Sequence, residues 1–389
     1  MNAAFEWTAP RRIIFGAGRL KEVGALIRPW GARTLVFTGS RAEAAAPLKK
    51  SLDDAGVAYA VAPISGEPTM AGIRRELEAA RAFAPEVIIA LGGGSVIDAA
   101  KAIAMLLTNG GDPLDYAEVI GAGRPITRPS LPLVAIPTTA GAGAEATRNA
   151  VLKSEEHGVK VSLRSPSMVP DLVVLDPRLH LSLPPAITAA TGMDALAQLV
   201  EPYVSRGAQP MTDLLCREGI RRIAGALPRV CQAPEDLDAR ADMAWAATWS
   251  GIALANAGLG AAHAFAAAIG GRADIPHGWI CAVMLAPVCR ANVQALNAVG
   301  VQSATLDRYA DIARLITGSP DARAEDAAHA IRNLAARLPL DPPSRFGLDR
   351  FAADEIAEAA QRASSMRGNP VSLATDTLSD IYRSVAAIG

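Results

Sequence analysis

The sequence predicts an α/β domain over residues 1–178, built on a doubly wound parallel sheet, followed by an all-α domain over residues 179–389. Three observations lead there. Short, wholly apolar runs alternate with helical stretches through the first half, and glycines close several of those runs. After about Asp176 the strand-like runs stop and helical patterns follow one another. Apolar strands separated by helices are what a parallel sheet covered on both faces requires. The right-handed crossover rule then makes the sheet doubly wound, with its ligand crevice beyond the strand carboxyl ends.

The strands are expected at 34–38 (TLVFT), 59–64, 87–91 (VIIAL), 133–136 (LVAI) and 172–175 (LVVL). Helices are expected to about residue 55, over 71–83, and directly after the glycines that close 87–91. The second half predicts helices near 186–204, 209–226, 236–256, 258–271, 278–293, 304–315, 321–337 and 351–362. Proline pairs at Pro184-Pro185 and Pro342-Pro343 separate some of them. No internal repeat or low-complexity linker interrupts the chain, so the halves are expected to share a tight cleft.

Half of the 389 residues are hydrophobic, a fifth are charged and only 4% are aromatic, which suits closely packed helices and tight turns. A formal net charge of -1 implies no strong attraction to nucleic acid or anionic lipid, and no long Lys/Arg block suggests a local basic patch, so neither is expected as a partner. Cysteines at 216, 231, 281 and 289 form no CxxC pair and no zinc-ribbon spacing. They read as reduced, mostly buried thiols. The opening MNAAFEWTAPRR lacks an apolar core of signal-peptide length, and a cytoplasmic location is expected. The uncharged stretch 251–271 is rich in Ala and carries Asn256 and His263, which fits a buried core helix better than a membrane span.

Three segments carry chemistry. Gly92-Gly93-Gly94-Ser95 follows a buried strand and opens a helix. Glycines there let backbone N–H groups approach a pyrophosphate, aided by the helix dipole, and Ser95 can add a hydroxyl or cap the helix. The alternative is a turn that needs glycine for geometry alone. Pro137-Thr138-Thr139-Ala140-Gly141 also follows an apolar strand. Its threonines suit either a nucleotide contact or a self-satisfied loop. In the helical half, Asp194 and Gln198 lie four apart on one helix face, and His263 and His277 follow in glycine-rich sequence. One carboxylate and two imidazoles can hold a divalent metal with open positions, although histidines in apolar stretches also serve as satisfied core residues.

Taken together, GGGSxxDxxK, the PTTAGxGxE frame, MDALxxxxEPYVS and the late histidine pair resemble the iron-containing (group III) alcohol dehydrogenase family. The likeness runs from RRIIFGAGRLKEVG to beyond IPHG. It implies a Rossmann-like first domain, a helical second domain and a metal between them, an architecture similar to that of the dehydroquinate synthases. It implies that Gly93, Gly94, Ser95, Asp98, Thr138, Thr139 and Lys160 line a dinucleotide site, and that Asp194, Gln198, His263 and His277 occupy the metal-ligand positions. A homodimer is implied as well.

The departures are specific. Family members carry a third His at the position of Gln198, and an amide oxygen is a poorer ligand for Fe²⁺ or Zn²⁺ than imidazole. Many have a further His where this chain has Ala267. The first strand ends in Thr38-Gly39-Ser40-Arg41, with no carboxylate for a ribose 2′-hydroxyl, while Ser40 and Arg41 suit a 2′-phosphate. NADP is therefore expected ahead of NAD. Ala142 and Ala144 replace two hydroxyl residues of the family loop. The expected activity is hydride transfer between NADP(H) or NAD(H) and a small alcohol or its aldehyde or ketone. Fe²⁺ or Zn²⁺ would polarise the substrate oxygen; without a metal, His277 or His263 would supply that polarisation. The alternatives are a metal-independent oxo-acid reductase similar to the maleylacetate reductases, a lyase similar to the dehydroquinate synthases, and a non-catalytic nucleotide-binding protein.

Overall fold

The computed structural model describes residues 4–39, 45–118, 120–299 and 303–387. They form two compact units. The α/β unit comprises Thr8–Thr139 and Gly143–Leu181. The helical unit takes the chain from Ser182 onward, together with Ala140–Ala142 and the segment ending at Trp7.

In chain order the α/β unit contains β1 (Arg12–Phe15), α1 (Val23–Ile27), β2 (Arg33–Thr38), α2 (Ala46–Asp54), β3 (Ala58–Pro63), α3 (Met70–Phe83), β4 (Val87–Gly92), α4 (Gly94–Asn109), α5 (Pro113–Tyr116), β5 (Leu133–Pro137), β6 (Asn149–Ser154), β7 (Val159–Arg164) and β8 (Leu172–Leu175). Six strands form one parallel sheet in the order β1-β8-β5-β4-β2-β3. Side-chain alternation sorts its two faces. Leu35, Phe37, Ile88, Ala90, Leu133 and Ala135 pack with Ile73 and Leu77 of α3 and Ile97 and Ile103 of α4. Val36, Ile89, Leu91, Val134 and Ile136 pack with Val23 and Ile27 of α1 and Leu48 and Leu52 of α2. The chain leaves β2 toward β3 and leaves β4 toward β5 on the other side, so the order reverses between β2 and β4. That reversal is where parallel sheets of this kind open a ligand crevice.

Strand β1 and the antiparallel β6–β7 hairpin add to the strands expected from sequence. The hairpin is tied to α4 by Lys101, a buried side chain that donates to Thr147 O and Oγ1, each at 2.7 Å, and to Asn149 O at 3.0 Å.

The helical unit contains α6 (Pro185–Val204), α7 (Pro210–Gln232), α8 (Leu237–Ala257), α9 (Ala261–Gly270), α10 (His277–Ala298), α11 (Ala304–Thr317), α12 (Asp326–Ala335), α13 (Ala353–Arg362) and α14 (Thr375–Ala386). Helix α6 is buried from Met193 through Val204. The stretch 251–271 is shared between α8 and α9, in keeping with the separate helices expected at 236–256 and 258–271. Gly258, at φ +74°, ends α8, and α9 leaves at a bend of 99°. Helix α7 runs past residue 226 through Pro228, and α14 is additional. Among the described residues α10 alone is long and apolar enough to cross a membrane, and 67% of its most apolar stretch is buried inside the protein.

Candidate active site

In the α/β unit Gly39, Gly93, Gly94, Ser95, Thr138 and Thr139 follow the carboxyl ends of β2, β4 and β5. Gly92 ends β4 against Val96 of the next helix; a Cβ on Gly92 would lie 2.5 Å from Val96 Cγ2, so only glycine fits there. The Thr138 amide donates to Gly92 O at 3.0 Å, and a Cβ built on Gly93 would meet Thr139 Oγ1 at 3.3 Å. Gly39 lies near the same turn, 3.8 Å from Val96 by the same construction. Ser40 and Arg41 lie outside the described residues.

The helix-capping role considered for Ser95 is not what the structure has. Helix α4 begins at Gly94 with Gly93 as its N-cap and no side-chain cap, and Ser95 sits inside the first turn. Glycine at the cap puts no side chain over the first-turn N–H groups. Asp98 accepts a hydrogen bond from the Val151 amide at 3.1 Å. Burial pushes its carboxyl up to about 6 against the pull of Lys101, while burial pushes Lys101 down to about 8. Lys160 stands on β7 in an ion pair with Glu67.

In the helical unit α6, α9 and α10 bring Asp194, His263, His277 and Cys281 together. No two of their donor atoms are more than 4.8 Å apart. Asp194 Oδ1 lies 3.4 Å from His263 Nε2 and 3.8 Å from His277 Nε2. His263 and Asp194 are buried, whereas the His277 side chain keeps 42% of its surface exposed. Gly278 makes this approach possible: a Cβ there would lie 2.4 Å from Ala190 O and 3.2 Å from Asp194 Cβ. Gln198 faces Ser250, whose hydroxyl is 3.0 Å from Gln198 Oε1. Ala267, one turn beyond His263 on α9, offers only a methyl group.

Two residues that sequence reasoning passed over belong here. Glu201 is buried, with Oε2 2.6 Å from His263 Nδ1 and Oε1 accepting the Ala262 amide at 2.6 Å. With Nδ1 held against the Glu201 carboxylate, Nε2 is the ring nitrogen turned toward Asp194. Glu201 also sits at the positive N-terminal end of α9. Its spacing was a usable signal, because it follows Asp194 by seven residues and so shares its helix face. Cys281, read from the sequence as one of four reduced, mostly buried thiols, follows His277 by one turn.

Charges in this pocket are coupled. Burial would raise Asp194, but the adjacent His263 and His277 hold its carboxyl below the usual range. Burial would lower His263, but Cys281, Glu201 and Asp194 hold it well above its ordinary value. Burial pushes the Cys281 thiol up to about 12.

The arrangement fits a divalent ion. Asp194 Oδ1 and His263 Nε2 are buried, face one another, and have no hydrogen-bond partner. Donors on a tetrahedral ion with bonds of about 2.0–2.3 Å stand about 3.3–3.8 Å apart, and Asp194 Oδ1 lies at such distances from His263 Nε2 and His277 Nε2.

Comparison with known proteins agrees. Residues 10–177 match the family described as iron-containing alcohol dehydrogenase, and residues 188–386 match the C-terminal domain of the same family. The chain belongs to the iron-containing alcohol dehydrogenases. It is 33% identical to the 1,3-propanediol dehydrogenase of Citrobacter freundii, over 97% of this chain and 98% of that one. The crystal structure of a 1,3-propanediol oxidoreductase superposes with a TM-score of 0.90 at 31% identity, covering 98% of this chain and all of that one. A sulfoacetaldehyde reductase from Bifidobacterium kashiwanohense, solved in complex with NAD⁺, superposes at 0.87 with 26% identity over the full length of both. Membership makes this iron-containing alcohol dehydrogenase a nicotinamide-dependent oxidoreductase acting on alcohols.

Proposed function

We propose that this chain interconverts a small alcohol and its aldehyde or ketone with NADP(H), using a divalent ion held by Asp194, His263 and His277. The observation that carries the reading is the pair of buried, unpartnered atoms Asp194 Oδ1 and His263 Nε2 beside a second imidazole. When bound, the ion supplies Lewis acidity to the substrate oxygen and the nicotinamide takes or returns the hydride.

The chain's own side chains do the rest. Glu201 fixes the His263 ring and its tautomer, and Asp194 supplies the negative charge that compensates the ion. His277 is the exposed member of the cluster, and with only a methyl at Ala267 the substrate proton exchanges with water on the His277 side. Gly39, Gly93, Gly94, Ser95, Asp98, Thr138, Thr139 and Lys160 would hold the dinucleotide. The absence of a carboxylate after Thr38 supports NADP, and family resemblance supports a homodimer.

The test is metal analysis of protein purified without chelators, followed by NADPH and NADH oxidation over a panel of small aldehydes and ketones. Stoichiometric divalent metal and faster turnover with NADPH are expected. Robust turnover by metal-free protein would reject the role given to the ion, and a preference for NADH would reject the cofactor assignment.

A further inference from the structure

Gln198 is the weak member of the ligand set implied by resemblance. Its amide is engaged by Ser250 at 3.0 Å, and turning the amide over would commit its nitrogen to the same hydroxyl. Helix α10 offers a substitute. Cys281 lies one turn beyond His277, so thiol and imidazole share the face presented to Asp194 and His263. The Sγ atom belongs to the same group of mutually close donors as the carboxylate and the two imidazoles. A cysteine that merely fills an apolar core faces hydrocarbon on all sides. Cys281 is fully buried, yet its Sγ lies within 4.8 Å of the donor atoms of Asp194, His263 and His277. The second, independent observation is that Asp194 and His263, both more than nine-tenths buried, point Oδ1 and Nε2 into this space with no partner.

We infer that Cys281 is the fourth metal ligand in place of Gln198, giving an Asp–His–His–Cys centre that selects Zn²⁺ over Fe²⁺. The inference rests on the reading that this cluster holds a divalent ion. Thiolate is a softer donor than imidazole or carboxylate, and one thiolate among nitrogen and oxygen donors suits Zn²⁺. As the sulfur–metal bond forms, the S–H bond breaks and its proton passes to solvent; sulfur is neither oxidised nor reduced.

The experiment strips the full-length protein of metal, reloads it with Co²⁺ as a spectroscopic probe, and records its absorption. A sulfur-to-cobalt charge-transfer band in the near ultraviolet is expected. It should disappear in Cys281→Ser and persist in Cys289→Ser, which removes another buried thiol of α10. Gln198→Ala should keep the band. Cys281→Ser should weaken Zn²⁺ binding by about 100-fold or more, above the range for losing an orienting partner, and should narrow the preference for Zn²⁺ over Fe²⁺. Stoichiometric Co²⁺ with turnover but no sulfur band overturns this inference and leaves the proposed function standing. A band that survives Cys281→Ser overturns it too. Failure of wild-type protein to bind any of the three metals overturns both.

Discussion

Both oxygens of Glu201 are committed, one to His263 and one to the first turn of α9. Replacing it by Gln keeps the size and one acceptor but removes the charge that holds the imidazole proton on Nδ1. Metal affinity should fall about 10–100-fold in Glu201→Gln. The metal-free protein should lose about 1.5–3 kcal/mol of stability, the contribution of a charge-assisted hydrogen bond. Isothermal titration with Zn²⁺ and denaturant unfolding read the two effects, and unchanged Zn²⁺ affinity would remove Glu201 from the site. Lys101 gives a prediction of opposite character. Its folded value is lowered to about 8 from an ordinary 10.5, so between these values the unfolded chain holds a proton that the folded chain has released. Stability therefore rises with pH through that window, at about 1.4 kcal/mol per unit at most, and is flat below it, where both states hold the proton. Wild type should gain stability relative to Lys101→Met between pH 8 and 10.5. Parallel curves for the two proteins would show that the ammonium is not desolvated.

At the scale of elements, the N-terminus of α10 owes its place to Gly278, whose missing side chain lets it lie against Ala190 and Asp194 of α6. Gly278→Ala must push the helices apart or bend α10, at about 1–3 kcal/mol, and must carry His277 away from Asp194. A lower melting temperature together with reduced metal content is expected. A variant that melts lower yet binds metal as tightly would show that His277 is not a ligand. Elements of this unit and of the sheet were unequally legible in the sequence. Strand β4 and strand β5 are apolar throughout because both faces of the sheet are covered, and such runs announce themselves. The β6–β7 hairpin alternates buried and more exposed residues, with Gly158 in its connection, so its two-residue period was present but weaker. The break between α8 and α9 was legible at Gly258 and Gly260 although composition barely changes there; the 99° bend was not. Asp194, His263 and His277 stood out by residue type. Glu201 and Cys281 did not, because their roles depend on which helices meet, and that is a tertiary fact.

At the scale of the whole molecule, the cluster joins helices that lie far apart in sequence, from Asp194 on α6 to Cys281 on α10, with His263 on the bent segment between. Two of these helices carry their imidazoles near their first turns, His263 on α9 and His277 on α10, and His263 Nε2 and Asp194 Oδ1 face one another with no hydrogen-bond partner. An ion that binds only the folded arrangement stabilises it by mass action, about 2.7 kcal/mol at a hundredfold excess over its dissociation constant. The effect should be local as well as global. The sheet of the α/β unit has its own two hydrophobic layers, neither of which includes a residue of α6, α9 or α10. Removing metal with a chelator should therefore speed amide hydrogen exchange most over 261–285, at the first turns of α9 and α10 and the segment joining them. Amides in β4 and β5 should exchange as before under native conditions, because local opening of one unit does not expose the other's ladder. Adding NADP(H) to the metal-free protein should have the converse pattern, protecting the turn from Gly92 into α4 and the residues after β5 while leaving α9 open. Uniform acceleration throughout the chain on metal removal would mean that the ion supports a single cooperative structure rather than the meeting of three helices.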